Sequence, residues 1–567
     1  MVKVAALGLD AAELTFVEQL LARGELPHLA ELRARALECR LDNVVTYRSE
    51  LPWTQFATGR RAAELDYWGT VAFDPASYRA VVAGALDAAP FWARADVRSL
   101  VFDVPHTVLR DDVPGMQVTA WGAHSPEYPR ASLPSGLLTE VDDRFGPHPA
   151  FANDSDPGWY SPEYLDNLVA ALRAGAHRRI DILEWLLERD PSVDLVLAAM
   201  SEPHSGGHHL WHGVDPQHPL AGSSGADRAA ARAIDLYRAV DECVGRFVAL
   251  AGPDATVVVF ALHGMQSNGN DLPSLVLLPE LLHRHRFGRA ALHAPDPATW
   301  RAAGMPPVVP DHDDPWIGYM ASRFADGPAD RVRNLAKRVL PPALLAKVRA
   351  AVGREARPLG PLSTPIPGED SRDVSDLALG ARDPDYQIVW RYRRHWPVMR
   401  AFALPSFSDG HVRVNVRGRE RDGVVAPNDF RAACDEVIDL VAACRDPRSG
   451  EPVLGDAVRL RDDPQDPGPP ADVVLMWAGT PDAFEHPTLR TIGPFPYCRT
   501  GEHSPTGFSF IAGPGIERGD LGRRPADDLA PTILALLGRS PGSELAGTSF
   551  PVGVPFPVPT AARGIDR

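Results

Sequence analysis

Three short, almost uninterrupted apolar runs punctuate the first half of the chain: Val2 to Gly8, Val193 to Met200 and Ala255 to Leu262. None alternates with polar residues, so each predicts a strand buried on both faces, as in a parallel sheet. Between them lie segments of helical periodicity. Ala11 to Ala36 carries Leu14, Val17, Leu20, Leu21, Leu29 and Leu32, with breaks at Gly24 and Pro27; Pro162 to Glu188 and Asp227 to Ala251 are longer amphipathic helices. Strand alternating with helix predicts a doubly wound, mostly parallel α/β sheet with helices on both faces. In that architecture sites form beyond the carboxyl ends of strands. Here the runs end on Leu9-Asp10, on Ser201-Glu202 and on His263-Gly264-Met265.

The remaining pattern is less regular. Val44 to Pro52 reads as a polar connection, and Thr54 to Gly59 as the start of a helix. Val101-Phe102 ends in Asp103, Val118 to Trp121 predicts a further strand, and Pro126 to Pro149 reads as loop. From about 290 to 375 the chain is rich in Pro, Arg and Asp, with a helical segment from Ala329 to Val352 and a linker-like stretch from Gly360 to Asp370. Strand and helix signals resume with Phe402-Ala403-Leu404, Val412 to Val416, Asp429 to Ala443, Asp472 to Trp477, Phe508 to Ala512 and Asp528 to Leu537. The expected division is a first part of an α/β core over 1–289, a cap-like insertion over 290–400, and the second part of the core over 401–567.

Composition narrows the functional classes. Net charge is -16, from 74 acidic and 58 basic residues, which argues against a general nucleic-acid binder. No run approaches eighteen apolar residues, so no membrane span is expected. The five cysteines lack CxxC spacing, and the N-terminal apolar run reaches Asp10 without a signal-like cleavage region. Both features predict a cytoplasmic protein with reduced thiols.

The densest chemistry lies in SEPHSGGHHLWH, Ser201 to His212, which holds Glu202, His204, His208, His209 and His212. On a helix, His204, His208 and His212 would share a face. Gly206-Gly207 predicts instead an initial turn, with the helix starting near His208. Imidazoles and a carboxylate leaving a buried strand are a ligand set for a transition metal.

Several segments together resemble a family. VAALGLDAAELTFVEQLLARGELPHLAELRARA, LPWTQFATGR, VVVFALHGM, TGEHSPTGFSFIAGPGI and DLAPTILALLG occur in the order seen in the alkaline phosphatase superfamily, in its type I phosphodiesterase and nucleotide pyrophosphatase branch. FALPSFSDGHVRVNVRGRERDGVV resembles a segment of some bacterial members. The resemblance implies an alkaline-phosphatase-like fold and hydrolysis of phosphodiesters or nucleotide pyrophosphates at one or two divalent metals. Zinc is the usual metal, with Mn²⁺ or Fe²⁺ as alternatives. It implies a small-molecule phosphate ester as substrate and Thr54 as the nucleophile, forming a phosphothreonine intermediate. Asp10, Thr54 and His263 would hold one metal, and Glu202 or His204 with His208 and His503 the other.

Two departures qualify this expectation. Leu262 stands where the family carries a metal-binding Asp, and His204 stands where it usually carries a carboxylate. The sequence leaves three arrangements open: a substitute ligand from the 201–212 stretch, a single tightly bound metal, or a metal other than zinc. It also leaves open action on a phosphomonoester, phosphonate or sulfate ester, although Thr54 counts against a sulfatase. A non-catalytic binding module is the rival from another class. Arg48 and His124 are candidate substrate contacts. His209 and His212 suit support around the ligands, and Trp211 suits the core. Arg413, Asn415, Arg417, Arg419 and Glu420 suit either a charged strand pair or phosphate binding. Asp311 to Asp314 reads as a solvated acidic loop.

Overall fold

The computed structural model describes residues 2–48, 51–69, 71–82, 86, 88–122, 130–150, 162–223, 225–294, 298, 316–327, 332, 344, 388–406 and 408–553. His124, residues 311–314, the linker-like 360–370 stretch and nearly all of the 329–352 helical segment lie outside them.

A nine-stranded sheet forms the centre, in the order Gly519–Pro525, Leu37–Asp42, Thr506–Ala512, Thr256–Ala261, Val4–Leu9, Leu195–Met200, Ser99–Phe102, Gly115–Thr119, Ala131–Leu133. The strands from Thr256–Ala261 to Gly115–Thr119 pair in parallel, whereas Thr506–Ala512 and Ala131–Leu133 run against their neighbours. The predicted mostly parallel α/β sheet is therefore the observed one. Its period of two feeds two cores. Ala5, Leu7 and Leu9 pack with Val196, Ala198 and Met200 against the helices Leu14–Ala22, Pro27–Ala34, Pro162–Arg189 and Ala226–Ala251. Val4 and Ala6 pack with Leu195, Leu197 and Ala199 on the opposite face, against the helices Leu51–Thr58 and Leu529–Leu536. Burial on both faces explains why these strands read as continuous apolar runs.

The structure corrects the sequence pattern in three places. First, the loop expected over 126–149 contains the strand Ala131–Leu133 and the helix Leu137–Phe145. That helix has only three buried residues, Leu137, Leu138 and Val141, too few for a clear periodic signal. Second, the segment from Ala401 does not rejoin the central sheet at once. Ala401–Ala403, Gly410–Val414, Val473–Trp477 and Leu454–Arg459 form their own four-stranded antiparallel sheet. With Leu278–Phe287, Trp316–Arg323, Ile388–Val398 and Phe430–Ala442 it encloses a separate core. The chain leaves the central sheet after Ala261 and re-enters it at Thr506. An antiparallel two-stranded pairing of Gly264–Ser267 with Gly501–Ser504 links the exit to the return.

Third, the histidine stretch has no initial turn: the helix Glu202–Val214 spans all of it. Its glycines serve close packing. A Cβ on Gly206 would lie 2.2 Å from Leu236 Cδ2, and one on Gly207 2.6 Å from Met265 Cε. Gly213 is tighter still, because its Cβ would lie 2.2 Å from the Ala230 backbone nitrogen and 2.5 Å from the Ala226 carbonyl oxygen. Backbone cannot swing aside as a side chain can. Gly213→Ala is therefore expected to lower unfolding stability by about 3 kcal/mol, at the upper end of overpacking costs, and to leave Gly225→Ala near neutral by comparison. Urea unfolding of the two variants checks this; a Cβ on Gly225 meets nothing within 4 Å.

Candidate active site

The sheet order places Val4–Leu9 between Leu195–Met200 and Thr256–Ala261. Their carboxyl ends therefore bring Asp10, the histidine helix and His263 side by side. The register of that antiparallel pair sets Met265 opposite His503 and delivers His503 from the far end of the chain to the same place. Thr54 lies in the helix Leu51–Thr58, which begins three residues earlier than the sequence pattern placed it.

Three imidazoles converge. His204 Nε2 lies 2.7 Å from His208 Nε2 and 3.0 Å from His503 Nε2, and all three rings are buried. At most one proton fits each such nitrogen pair, so lone pairs point into the cluster. Each ring is oriented from behind where a second contact exists. His208 Nδ1 lies 2.8 Å from the Gly501 carbonyl oxygen, which can only accept, so Nδ1 carries the proton and Nε2 the lone pair. His204 Nδ1 lies 2.9 Å from Asp10 Oδ2, the carboxylate–histidine arrangement that also orients metal ligands. Burial holds His208 and His503 well below the ordinary histidine range, aided at His208 by Arg499 and His204, and at His503 by His263 and His204. Buried, convergent imidazoles, with His208 and His503 held neutral, fit a zinc-like cation, which accepts nitrogen ligands and needs them deprotonated.

Asp10 joins this cluster to the rest of the site. Its Oδ1 accepts a hydrogen bond from Trp53 Nε1 at 2.7 Å and lies 3.3 Å from His263 Nε2. Burial alone would raise the Asp10 carboxyl, but His204 and His263 outweigh it and hold the group well below the usual carboxylate range. The His263 and His503 rings are 4.4 Å apart between centroids. Asp10, His204, His208, His263 and His503 thus form one continuous group. Thr54 is 2% exposed and follows Trp53 directly in sequence.

Glu202 is not brought into this group. Its Oε1 lies 3.2 Å from Arg179 Nη2 and 3.0 Å from His148 Nε2, and both Glu202 and Arg179 are fully buried. Arg179 Nη1 also pairs with Asp103 at 2.5 Å. Although burial opposes it, the Arg179 charge keeps the Glu202 carboxyl below its ordinary range. Glu202 therefore anchors the start of the histidine helix to the helix Pro162–Arg189. His148 reaches it because a Cβ on Gly175 would sit 2.1 Å from His148 Nε2. Removing one partner of a buried ion pair costs roughly 3–5 kcal/mol. Arg179→Met is expected to lose that much in urea unfolding, whereas Glu202→Gln is expected to keep the wild-type metal content.

Leu262 packs in the apolar core beside Phe260 and Trp53, and its carbonyl accepts from Asn43 Nδ2 at 2.9 Å. Within the 201–212 stretch it is His204 that reaches Asp10. His212 Nδ1 lies 3.2 Å from Thr500 Oγ1, His209 packs edge-on to Tyr164, and Trp211 lies in the core against Phe16. Arg48 Nη2 donates to Asp409 Oδ1 at 3.0 Å. Arg413, Arg419, Glu420 and Asp472 form a buried ion network, and Asn415 Nδ2 donates to the Trp396 and Met399 carbonyls. That segment organises the second sheet.

Sequence reasoning missed Trp53, Arg499 with Asp271, and the Arg179–Asp103–His148 group. Trp53 and Arg499 adjoin motif residues, one before Thr54 and four before His503, which is the signal that was there to use. Arg179 gives no local signal within its helix.

No protein-family model matches this sequence, and no curated protein matches it. Among solved structures, the chain is similar to human ectonucleotide pyrophosphatase/phosphodiesterase 5, at 12% identity over 97% of this chain and 96% of that chain, with a TM-score of 0.44. It is similar to an inactive variant of the murine protein in complex with AMP, at 12% identity over 97% and 98% of the two chains, with a TM-score of 0.42. It is also similar to phosphonoacetate hydrolase from Sinorhizobium meliloti in complex with phosphonoacetate, at 17% identity over 52% of this chain, with a TM-score of 0.32. There the match spans less than two thirds of the hydrolase, 65% of its length.

Proposed function

We propose that this protein is a metal-dependent hydrolase of phosphate esters that cleaves phosphodiesters or nucleotide pyrophosphates through a covalent intermediate on Thr54. The observation that carries the reading is the convergence of His204, His208 and His503 Nε2 beside Asp10, with the Thr54 helix tied to Asp10 by the Trp53 indole. His204, His208 and His503 would hold one divalent cation. Asp10, His263 and Thr54 are the residues for a second. A bound cation supplies Lewis-acid stabilisation of negative charge on the phosphoryl oxygens.

The chain's own residues account for the rest. Thr54 Oγ forms a bond to phosphorus as the bond to the leaving oxygen breaks, and the Thr54 proton departs with the leaving group or to solvent. Water then attacks phosphorus, the Thr54 Oγ–phosphorus bond breaks, and Thr54 regains its proton. Asp10 keeps His204 in the tautomer that presents Nε2 to the cluster and fixes the Trp53 indole, and with it the nucleophile helix. Burial keeps His208 and His503 neutral across physiological pH, which keeps their lone pairs available.

Among the described residues no helix is long and apolar enough to cross a membrane, and none of the five cysteines is in a disulfide. The function is tested by turnover of bis(p-nitrophenyl) phosphate with Zn²⁺ or Mn²⁺, beside a nucleotide pyrophosphate, a phosphomonoester, a phosphonate and a sulfate ester. Diester or pyrophosphate cleavage is expected to be fastest. Absence of turnover on every ester with either metal would leave the binding-module reading standing.

A further inference from the structure

One cation adjoins the imidazole cluster and is absent from the scheme above. Arg499 Nη1 lies 3.0 Å from His208 Nε2. The opposite edge of the guanidinium is clamped. Arg499 Nε donates to Asp271 Oδ2 at 2.7 Å, and Nη2 donates to Asp271 Oδ1 at 3.2 Å. Asp271 is held in turn, because Asn268 Nδ2 donates to its Oδ2 at 2.7 Å and also to the Arg499 carbonyl at 3.1 Å. The Asp271 and Asn268 side chains are buried. Arginine is always charged in proteins, so the clamped group is a fixed cation.

This geometry sets up a conflict of charge. The His208 Nε2 lone pair faces the imidazole cluster, and a divalent cation held there would compete with Arg499 for it. A metal ion and a guanidinium this close together, in a buried site, repel one another unless an anion lies between them. A tetrahedral oxyanion resolves the conflict, with one oxygen toward the metal and another toward the Nη1 edge. Arginine suits that role because its planar fork stays rigid while one edge is committed to a carboxylate.

Resting on the hydrolase reading above, we propose that Arg499 is a further catalytic residue. Its Nη1 edge binds a non-bridging phosphoryl oxygen of the substrate, opposite the metal held by His204, His208 and His503. Asp271 is the positioning residue that aims it. The contact neutralises the negative charge that the non-bridging oxygen carries in the transition state.

The probe is inorganic phosphate, titrated into the zinc-loaded protein. Loss of a charge-assisted hydrogen bond predicts that Arg499→Met binds phosphate about 10–100-fold more weakly than wild type at unchanged zinc content, with a lower melting temperature because Asp271 is left buried without its partner. Arg499→Lys is expected to recover part of that loss, since it keeps the charge and loses the fork. Phosphate binding by Arg499→Met within about twofold of wild type would overturn the proposal. A second measurement needs no variant. Saturating phosphate is expected to slow phenylglyoxal modification of the peptide carrying Arg499 in the wild-type holoprotein, and equal rates with and without phosphate would also overturn it. Ester turnover by wild type is scored separately. Phosphate binding that depends on Arg499 without turnover of any ester would sink the hydrolase reading and leave the anion site in place.

Discussion

Thr54→Ala is expected to lower ester turnover by at least about 10³-fold, the scale on which loss of a nucleophile is felt, while metal content and fold persist. The substitution removes only the hydroxyl and the methyl of a residue in the helix Leu51–Thr58. That helix is held by other groups. Trp53 Nε1 donates to Asp10 at 2.7 Å, and Trp53 and Phe56 pack into the core beneath the sheet. Thr58 Oγ1 donates to the Thr54 carbonyl at 2.8 Å, a backbone contact that alanine keeps. The thermal midpoint is therefore expected to move by only a few degrees, and circular dichroism melts with metal analysis check this. Thr54→Ser is expected to restore part of the turnover because it restores an oxygen nucleophile. If Thr54→Ala instead retained wild-type turnover, the hydroxyl would be no part of the chemistry.

The second large effect concerns the imidazoles. His208→Ala is expected to lower zinc affinity by well over the 10–100-fold that outer-shell changes typically cost. His208 offers one of the three convergent nitrogens, and its ring is fixed by the Gly501 carbonyl at 2.8 Å. Alanine leaves a cluster of two. Asp10→Asn makes the contrast. An asparagine there cannot bear the charge that fixes His204 from behind, so its effect on zinc at the three-histidine site is expected to fall within about 10–100-fold. Competition with a chromogenic chelator measures both. Equal losses for the two variants would mean that Asp10 is itself a ligand of that site.

Much of this was legible from residue pattern alone. The apolar runs ending on Asp10, Ser201 and His263 identified parallel strands and the edge of the sheet where chemistry gathers, because burial on both faces leaves so little choice of residue. The four-residue spacing of His204, His208 and His212 was legible too. The Gly206-Gly207 pair misled, since a glycine that permits a turn looks the same in sequence as one that permits close packing. Only the position of Leu236 and Met265 against the helix distinguishes the two. Glu202 misled for a related reason. A carboxylate two residues before a histidine reads as a ligand until its partner Arg179, 23 residues away in sequence, is seen beside it. Arg499 was hidden in the same way, because a guanidinium acquires meaning only from what lies at each edge. The separate antiparallel sheet after Ala401 carried ordinary strand signals, and nothing local says which sheet a strand joins.

The substitution at Leu262 also takes on a physical shape. Its side chain belongs to the core with Phe260 and Trp53, while Asp10 is met by His204, His263 and Trp53. An imidazole on the histidine helix thus stands on Asp10 in a chain that has no carboxylate at 262.

The most direct measurement is an acid quench of the zinc-loaded wild-type protein during turnover of bis(p-nitrophenyl) phosphate, followed by peptide mass spectrometry. The account predicts a p-nitrophenyl phosphoryl adduct on Thr54, absent from the Thr54→Ala protein and from protein stripped of metal. Steady turnover with no adduct on Thr54, or with the adduct on another residue, would contradict it.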